Sequence, residues 1–193
     1  MNVLSLDVEY NQPSGKTIQI GAAVYKASSG LLLEKFETYV NPGEPINQDE
    51  TNGVTNIVKL TGITDRDVQN APTIQEAYLM LKALHKKHKC FRNPIVWGSG
   101  VRNDSQHIHE EAAIKDAEGN LEENFMGYRV IDAKGLFQSV QIFHNGTVRG
   151  GLENTCIKEL KIGFEGRKHT ALADAMNTFR VWHYLTKRFQ KDY

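Results

Sequence analysis

The sequence predicts an α/β fold whose sheet carries an antiparallel edge, and three observations lead to it. Three strand-like segments open the chain, helical and strand-like segments then alternate, and a long helical pattern over residues 171–189 closes it. With 193 residues, 40% of them hydrophobic and 24% charged, the chain can bury a substantial core without disulfide or structural metal, as one domain over residues 1–193.

The elements follow in order. The apolar run ending at Leu4-Ser5-Leu6-Asp7-Val8-Glu9-Tyr10 reads as a first strand, and residues 17–25 alternate partially as a second. Ser28-Ser29-Gly30 turns the chain into a third strand over residues 31–40, so the first three form an antiparallel meander that Asn41-Pro42-Gly43 ends. A weak helix over residues 51–60 carries Val54, Ile57 and Val58 on one side and stops at Thr61-Gly62. Thr73 and Glu76 fit a capping box, in which each side chain satisfies the other residue's backbone N–H, and Ile74, Ala77, Leu81 and Leu84 follow at helical spacing. A short buried strand, Ile95-Val96-Trp97, comes next and is expected parallel to the first, because a helix long enough for a crossover precedes it. A helix over 105–115, a polar loop over 116–124, a last strand over 128–131 and a helix over 133–143 capped by Asp132 complete the alternation. A helix over 152–160 then leads to the final one, striped by Ala175, Phe179, Trp182 and Leu185.

Composition narrows the function. Basic and acidic residues number 23 each, which excludes a protein that coats nucleic acid through bulk charge. Local clusters remain: Lys82, Lys86, Lys87, Lys89 and Arg92; Arg167 and Lys168; and Lys187, Arg188 and Lys191. The first and third read as solvated helix faces. Cys90 and Cys156 are too few for a disulfide framework and lack an activating neighbour, and no signal-peptide pattern or membrane-length apolar stretch is seen, so a reducing cytoplasm is the expected setting, with no membrane partner.

Four acids and one histidine carry the chemistry. Residues i and i+2 of a strand share a face, so Asp7 and Glu9 project together, and two such charges repel unless a cation lies between them. A hard divalent ion such as Mg²⁺ resolves the conflict; two ordinary surface acids at a strand end are the alternative. Asp104 follows a short strand and a glycine-containing turn, where it reads either as a helix N-cap or as a carboxylate brought back over the sheet edge near Asp7. His169 precedes Asp174 by five residues at the entrance to the last helix. His107 and His109 point to different sides of a helix and are read as surface residues.

This ordered set, D-x-E at Asp7 and Glu9, Asp104 in mid-chain, and H-x-x-x-x-D-A from His169, resembles the DEDDh branch of the 3′-to-5′ exonucleases. The segment Leu60-Thr61-Gly62-Ile63-Thr64 followed by Ala71-Pro72-Thr73 is similar to polymerase proofreading exonucleases, and residues 151–177 are similar to ERI-like exoribonucleases. The sister branch carries a tyrosine where Thr170 stands, and relatives commonly carry an aromatic residue where Asn103 stands.

The resemblance implies a ribonuclease H-like three-layer sandwich: a mixed five-stranded sheet ordered 3-2-1-4-5 with its second strand antiparallel and helices on both faces. It implies hydrolysis of single-stranded nucleic acid from the 3′ end to nucleoside 5′-monophosphates, with two Mg²⁺ ions about 3.5 to 4 Å apart and Mn²⁺ able to substitute. Asp7 would bridge both ions, Glu9 and Asp174 would complete the first, Asp104 would support the second, and His169 would act as general base. Leu60, Thr61, Tyr10, Asn103, Arg167 and Lys168 are the implied substrate contacts, with Trp97 as a further stacking surface or a core residue. RNA is slightly favoured over DNA. A DNA-specific proofreading or repair enzyme, and a non-catalytic nucleic-acid-binding or polymerase-associated module, are the alternatives, and the resemblance leaves a homodimer open.

Overall fold

The computed structural model describes residues 1–51, 53–98, 103–146, 148 and 150–189, the last without its side chain. The expected turn at residues 99–102 and the basic residue Lys191 lie outside the described residues.

Five strands form one mixed sheet in the order β3-β2-β1-β4-β5, as expected. β1 (Asn2–Tyr10) pairs antiparallel with β2 (Thr17–Lys26), which pairs antiparallel with β3 (Leu31–Tyr39). On the other side β1 runs parallel to β4 (Ile95–Val96), and β4 parallel to β5 (Ile131–Asp132). The helices are α1 (Ile57–Thr61), α2 (Asp65–Val68), α3 (Ile74–Lys87), α4 (Asp104–Ala112), α5 (Ala133–Phe143), α6 (Leu152–Asn154) and α7 (Ala171–Phe189).

Alternation along β1 divides the core. Leu4, Leu6 and Val8 pack with Ile20, Ala22 and Val24 of β2 against Ala77, Tyr78 and Leu81 of α3 and Ile108 of α4. Val3 faces the other way, joining Ala23, Tyr25 and Ile95 against Ala133 of α5 and Phe179 of α7. Even-numbered residues of β1 therefore look toward α3 and α4, and odd-numbered ones toward α7. The rings of Tyr25 and Phe179 stack at 3.7 Å between centroids on that second face.

Several element boundaries differ from those expected. The helix expected from residue 51 begins at Ile57, because Asn56 caps it by accepting from Lys59 N–H and the Asn47 amide holds the preceding loop through Asp49 and Thr55 carbonyls. The last strand comes three residues later than expected, where Ile131 N–H finds Pro94 O and its side chain pairs in register with Ile95. The helix expected over 152–160 passes after α6 into a π-helical turn, Thr155–Glu159. Three residues of the first basic cluster are in ion pairs, Lys82 with Glu122, Lys87 with Glu34 and Arg92 with Glu123, in keeping with a solvated face.

Candidate active site

Asp7 and Glu9 sit on the α7 face of β1, opposite Gly21 and Gln19 of β2. Gly21 is where the helix lands. A Cβ added there would lie 2.1 Å from the Ala171 carbonyl carbon, so only glycine lets the start of α7 lie on the sheet. Gln19 Oε1 accepts from Ala171 N–H at 3.0 Å, and Ser5 Oγ donates to Ala175 O at 2.7 Å one turn further on. These contacts set the first turn of α7 beside the two acids, with Asp174 on it.

His169 stands just before that helix in the left-handed region, at φ 58°, and its backbone N–H donates to Asp174 Oδ2 at 3.3 Å. One donor atom each from Glu9, His169 and Asp174 lies within 4.8 Å of the others. Asp7, His169 and Asp174 line a pocket whose other walls include Trp97, Leu152 and Phe164.

Asp104 arrives from the opposite side as the first residue of α4. The cap of that helix is Asn103, whose side chain accepts from Gln106 N–H at 3.0 Å, so the Asp104 carboxylate is not consumed in capping. Instead it accepts from the Tyr10 hydroxyl at 2.7 Å.

Burial, and then the charges of Asp104, Asp174 and Glu9, hold the Asp7 carboxyl well above the usual carboxylate range. Burial followed by Asp174 and Asp104 pushes Glu9 up to about 7. Burial also raises Asp104, against the hydrogen bond from Tyr10 and the nearby His107, and raises Asp174, against the nearby His169. Among the described residues no lysine or arginine pairs with any of the four carboxylates. Four converging, mutually repelling carboxylates suit a divalent cation with oxygen ligands, which would supply the missing positive charge.

Residues 4–182 match the model of the RNase_T family, described as exonuclease. The chain belongs to that family. This RNase_T exonuclease is similar in structure to the nuclease domain of 3′hExo, a DEDDh family member, bound to rAMP (TM-score 0.68, 16% identity, 99% of this chain and 92% of that one). It is also similar to cell-death related nuclease 4 (TM-score 0.71, 16% identity, 97% of this chain and 64% of that one). In sequence it is 22% identical over 178 residues to the PolC-type DNA polymerase III of Pediococcus pentosaceus, spanning 92% of this chain but 11% of that protein.

The substrate contacts expected for this RNase_T exonuclease fall in different places. Leu60 is 37% exposed at the end of α1, whereas Thr61 is 2% exposed and its hydroxyl donates to Ile57 O and accepts from Ile63 N–H, so Leu60 is the one that offers a side chain to solvent. Arg167 lies exposed over Gly62, joining the His169 loop to the turn after α1. Lys168 lines the pocket and reaches Glu153 at 3.2 Å. Asn103 is engaged as a cap, and Tyr10 as a donor to Asp104. Trp97 is half-buried, packed near Phe137 and open to the pocket. Asp132 caps α5 by accepting from Gly135 N–H at 2.9 Å, as expected.

One reading is corrected. His107 and His109 are not surface residues: His109 is buried with Nδ1 2.8 Å from the Tyr78 hydroxyl, and His107 sits edge-on to the Tyr10 ring at 4.5 Å. The helix is packed on two sides, so divergent histidines both find cover. Sequence reasoning also passed over Gln19 and Gly21. The run Gly21-Ala22-Ala23 in the middle of a strand was the available signal, since small residues there mark a close backbone approach.

Proposed function

We propose that the protein is a 3′-to-5′ exonuclease that removes nucleoside 5′-monophosphates from single-stranded nucleic acid, with RNA as the favoured strand. The observation that carries this reading is the grouping of Glu9, His169 and Asp174 within 4.8 Å, beside a half-buried Asp7 whose charge has no lysine or arginine partner among the described residues. Asp7, Glu9, Asp104 and Asp174 are the residues that would hold divalent cations, with Mg²⁺ as our choice and two ions as the expected number. When bound, such ions neutralise charge on the phosphate and make water nucleophilic near neutral pH.

The remaining work belongs to the chain's own residues. His169 takes the proton from the attacking water, a role for which imidazole is the suited side chain near neutrality. Its backbone N–H bond to Asp174 Oδ2 keeps the histidine beside that acid. Attack at phosphorus breaks the bond to the 3′ oxygen of the preceding nucleotide, which leaves with the shortened strand. Leu60 packs on the terminal base, and Arg167 and Lys168 attract the phosphates.

The preference for RNA is supported by the similarity to the nuclease domain solved with rAMP, and the rival DNA reading by the similarity to E. coli Exonuclease I in complex with dT13. We place the activity in the cytoplasm. Matched 5′-labelled single-stranded RNA and DNA, incubated with Mg²⁺, Mn²⁺ or EDTA, test the reading. A cation-dependent ladder shortening from the 3′ end, lost in Asp7→Ala and strongly slowed in His169→Ala, is expected, faster on RNA. Cutting of neither strand with either cation overturns the catalytic reading, and faster cutting of DNA overturns the substrate.

A further inference from the structure

Tyr10 follows the acid pair directly and stands one position from Glu9, which invites a role in stacking on a base. Its geometry says otherwise. Alternation turns Tyr10 away from Asp7 and Glu9, onto the face where its ring packs among the side chains of the α3 and α4 core. From there its hydroxyl reaches across to Asp104 Oδ1 at 2.7 Å, a short bond from a neutral donor to a carboxylate.

The ring is itself held. His107, one turn after Asp104 on α4, meets it edge-on at 4.5 Å, and His107 Nε2 lies 3.5 Å from Glu111 Oε2 one turn further. The Glu111 carboxylate accepts from both Thr17 N–H, at 3.1 Å, and Thr17 Oγ1, at 2.6 Å, which ties the chain of contacts to the start of β2. The phenol is thus held between α4 and the end of the β1–β2 pair, with its one donor aimed at one oxygen of Asp104.

We infer that Tyr10 is a positioning residue for the cation site: its hydroxyl fixes the rotamer of Asp104 so that the second carboxylate oxygen is turned toward Asp7. This rests on the reading of Asp104 as a cation ligand. The bond occupies one acceptor and leaves the other free, and it supplies a donor without adding a positive charge that would compete with the cation. Groups that hydrogen-bond a metal's ligands change metal affinity or activity by about 10- to 100-fold when removed.

Tyr10→Phe separates the hydroxyl from the ring, because phenylalanine stacks on a base as well as tyrosine does. Mn²⁺ binding to the protein, followed by calorimetry without substrate, should weaken about 10- to 100-fold at the site that Asp104→Asn also weakens. The double variant should bind as the weaker single variant does, since the two residues act as a unit. With oligonucleotide, kcat should fall while KM holds, and the thermal midpoint should stay near that of the parent. Unchanged Mn²⁺ affinity in Tyr10→Phe, or losses that add in the double variant, overturns the inference. A normal Tyr10→Phe beside a Tyr10→Ala with raised KM would assign the ring to base stacking instead. If the parent cuts neither RNA nor DNA, the proposed activity fails but the calorimetry still decides the role of Tyr10.

Discussion

Asp174 and Asp104 both enter the site from the first turn of a helix, yet the two helices are fixed by different means. α7 is laid on the sheet by backbone approach at Gly21, with Gln19 and Ser5 bonded to its main chain and Phe179 stacked on Tyr25. α4 is held at the site by side chains: Asn103 at its cap, Tyr10 on Asp104, and Glu111 on Thr17. A helix located by main-chain contact has little freedom to shift, because close-packed interiors transmit strain. Where side-chain hydrogen bonds set the carboxylate, as on α4, removing one can turn it without disturbing the core contact at Ile108. The site therefore pairs a rigid half, carrying Asp174 and His169 and seated by main chain, with an adjustable half in which side chains that a substitution can remove set Asp104.

The most severe way to break that comparison is Gly21→Ala. The added methyl has no room before the Ala171 backbone, so the start of α7 must lift, and a displacement of about 1 Å near the chemistry can cost about 10²-fold in rate. Overpacking should also destabilise the fold by about 1–3 kcal/mol in chemical denaturation. Near-parental activity would show that the helix can slide and that the rigid half is not rigid.

Charge provides the next test. The carboxyl of Glu9 is held up at about 7 when folded, against an ordinary 4.5, so between those values the folded state binds more protons than the unfolded one. Cation-free protein should therefore lose stability as pH rises through that window, and regain it as pH falls. Glu9→Gln should flatten the slope of the thermal midpoint in EDTA and stabilise the protein above pH 7 by roughly 1–3 kcal/mol, while activity is lost. Adding Mn²⁺ should raise the midpoint of the parent more than that of the variant. An identical pH slope in both would remove the cost of the Glu9 charge, set by burial and then by Asp174 and Asp104, as a reason for a cation.

Smaller effects are expected on the adjustable half. Asn103→Ala deletes the cap of α4 and should cost about 1 kcal/mol of stability. Activity should fall several-fold through Asp104, and the pH slope set by Glu9 should persist. An unchanged rate would mean that Asp104 does not depend on how its helix begins. The mildest change is Lys168→Ala, where an exposed pair with Glu153 is lost. Stability should move by less than about 0.5 kcal/mol, with KM for oligonucleotide rising and its salt dependence easing. A fall in kcat alone would instead tie Lys168 to the chemistry.

Much of this was legible in the chain. Alternation at Asp7 and Glu9 predicted their shared face, the capping box at Thr73 and Glu76 predicted the start of α3, and Asp132 was read correctly as the cap of α5. The spacing of His169 and Asp174 placed one before a helix and the other on it. These are features of a few consecutive residues, whose backbone geometry follows from side-chain period and local hydrogen bonds. The start of α1 was missed because Asn56 and the long reach of Asn47 outweigh the weak apolar period before it.

By itself, then, the sequence determined the strand order through its family pattern, the acid and histidine set, and the local direction of each side chain. Only the tertiary structure decided that Asn103 relieves Asp104 of capping, that Tyr10 serves a carboxylate from behind the sheet, and that Gly21 is the seat of α7. The physical reason is separation along the chain. Tyr10 and Asp104 are 94 residues apart and Gln19 and Ala171 are 152 apart, so no local period encodes the distances at which they meet. Those distances come from how two helices pack on opposite faces of one sheet.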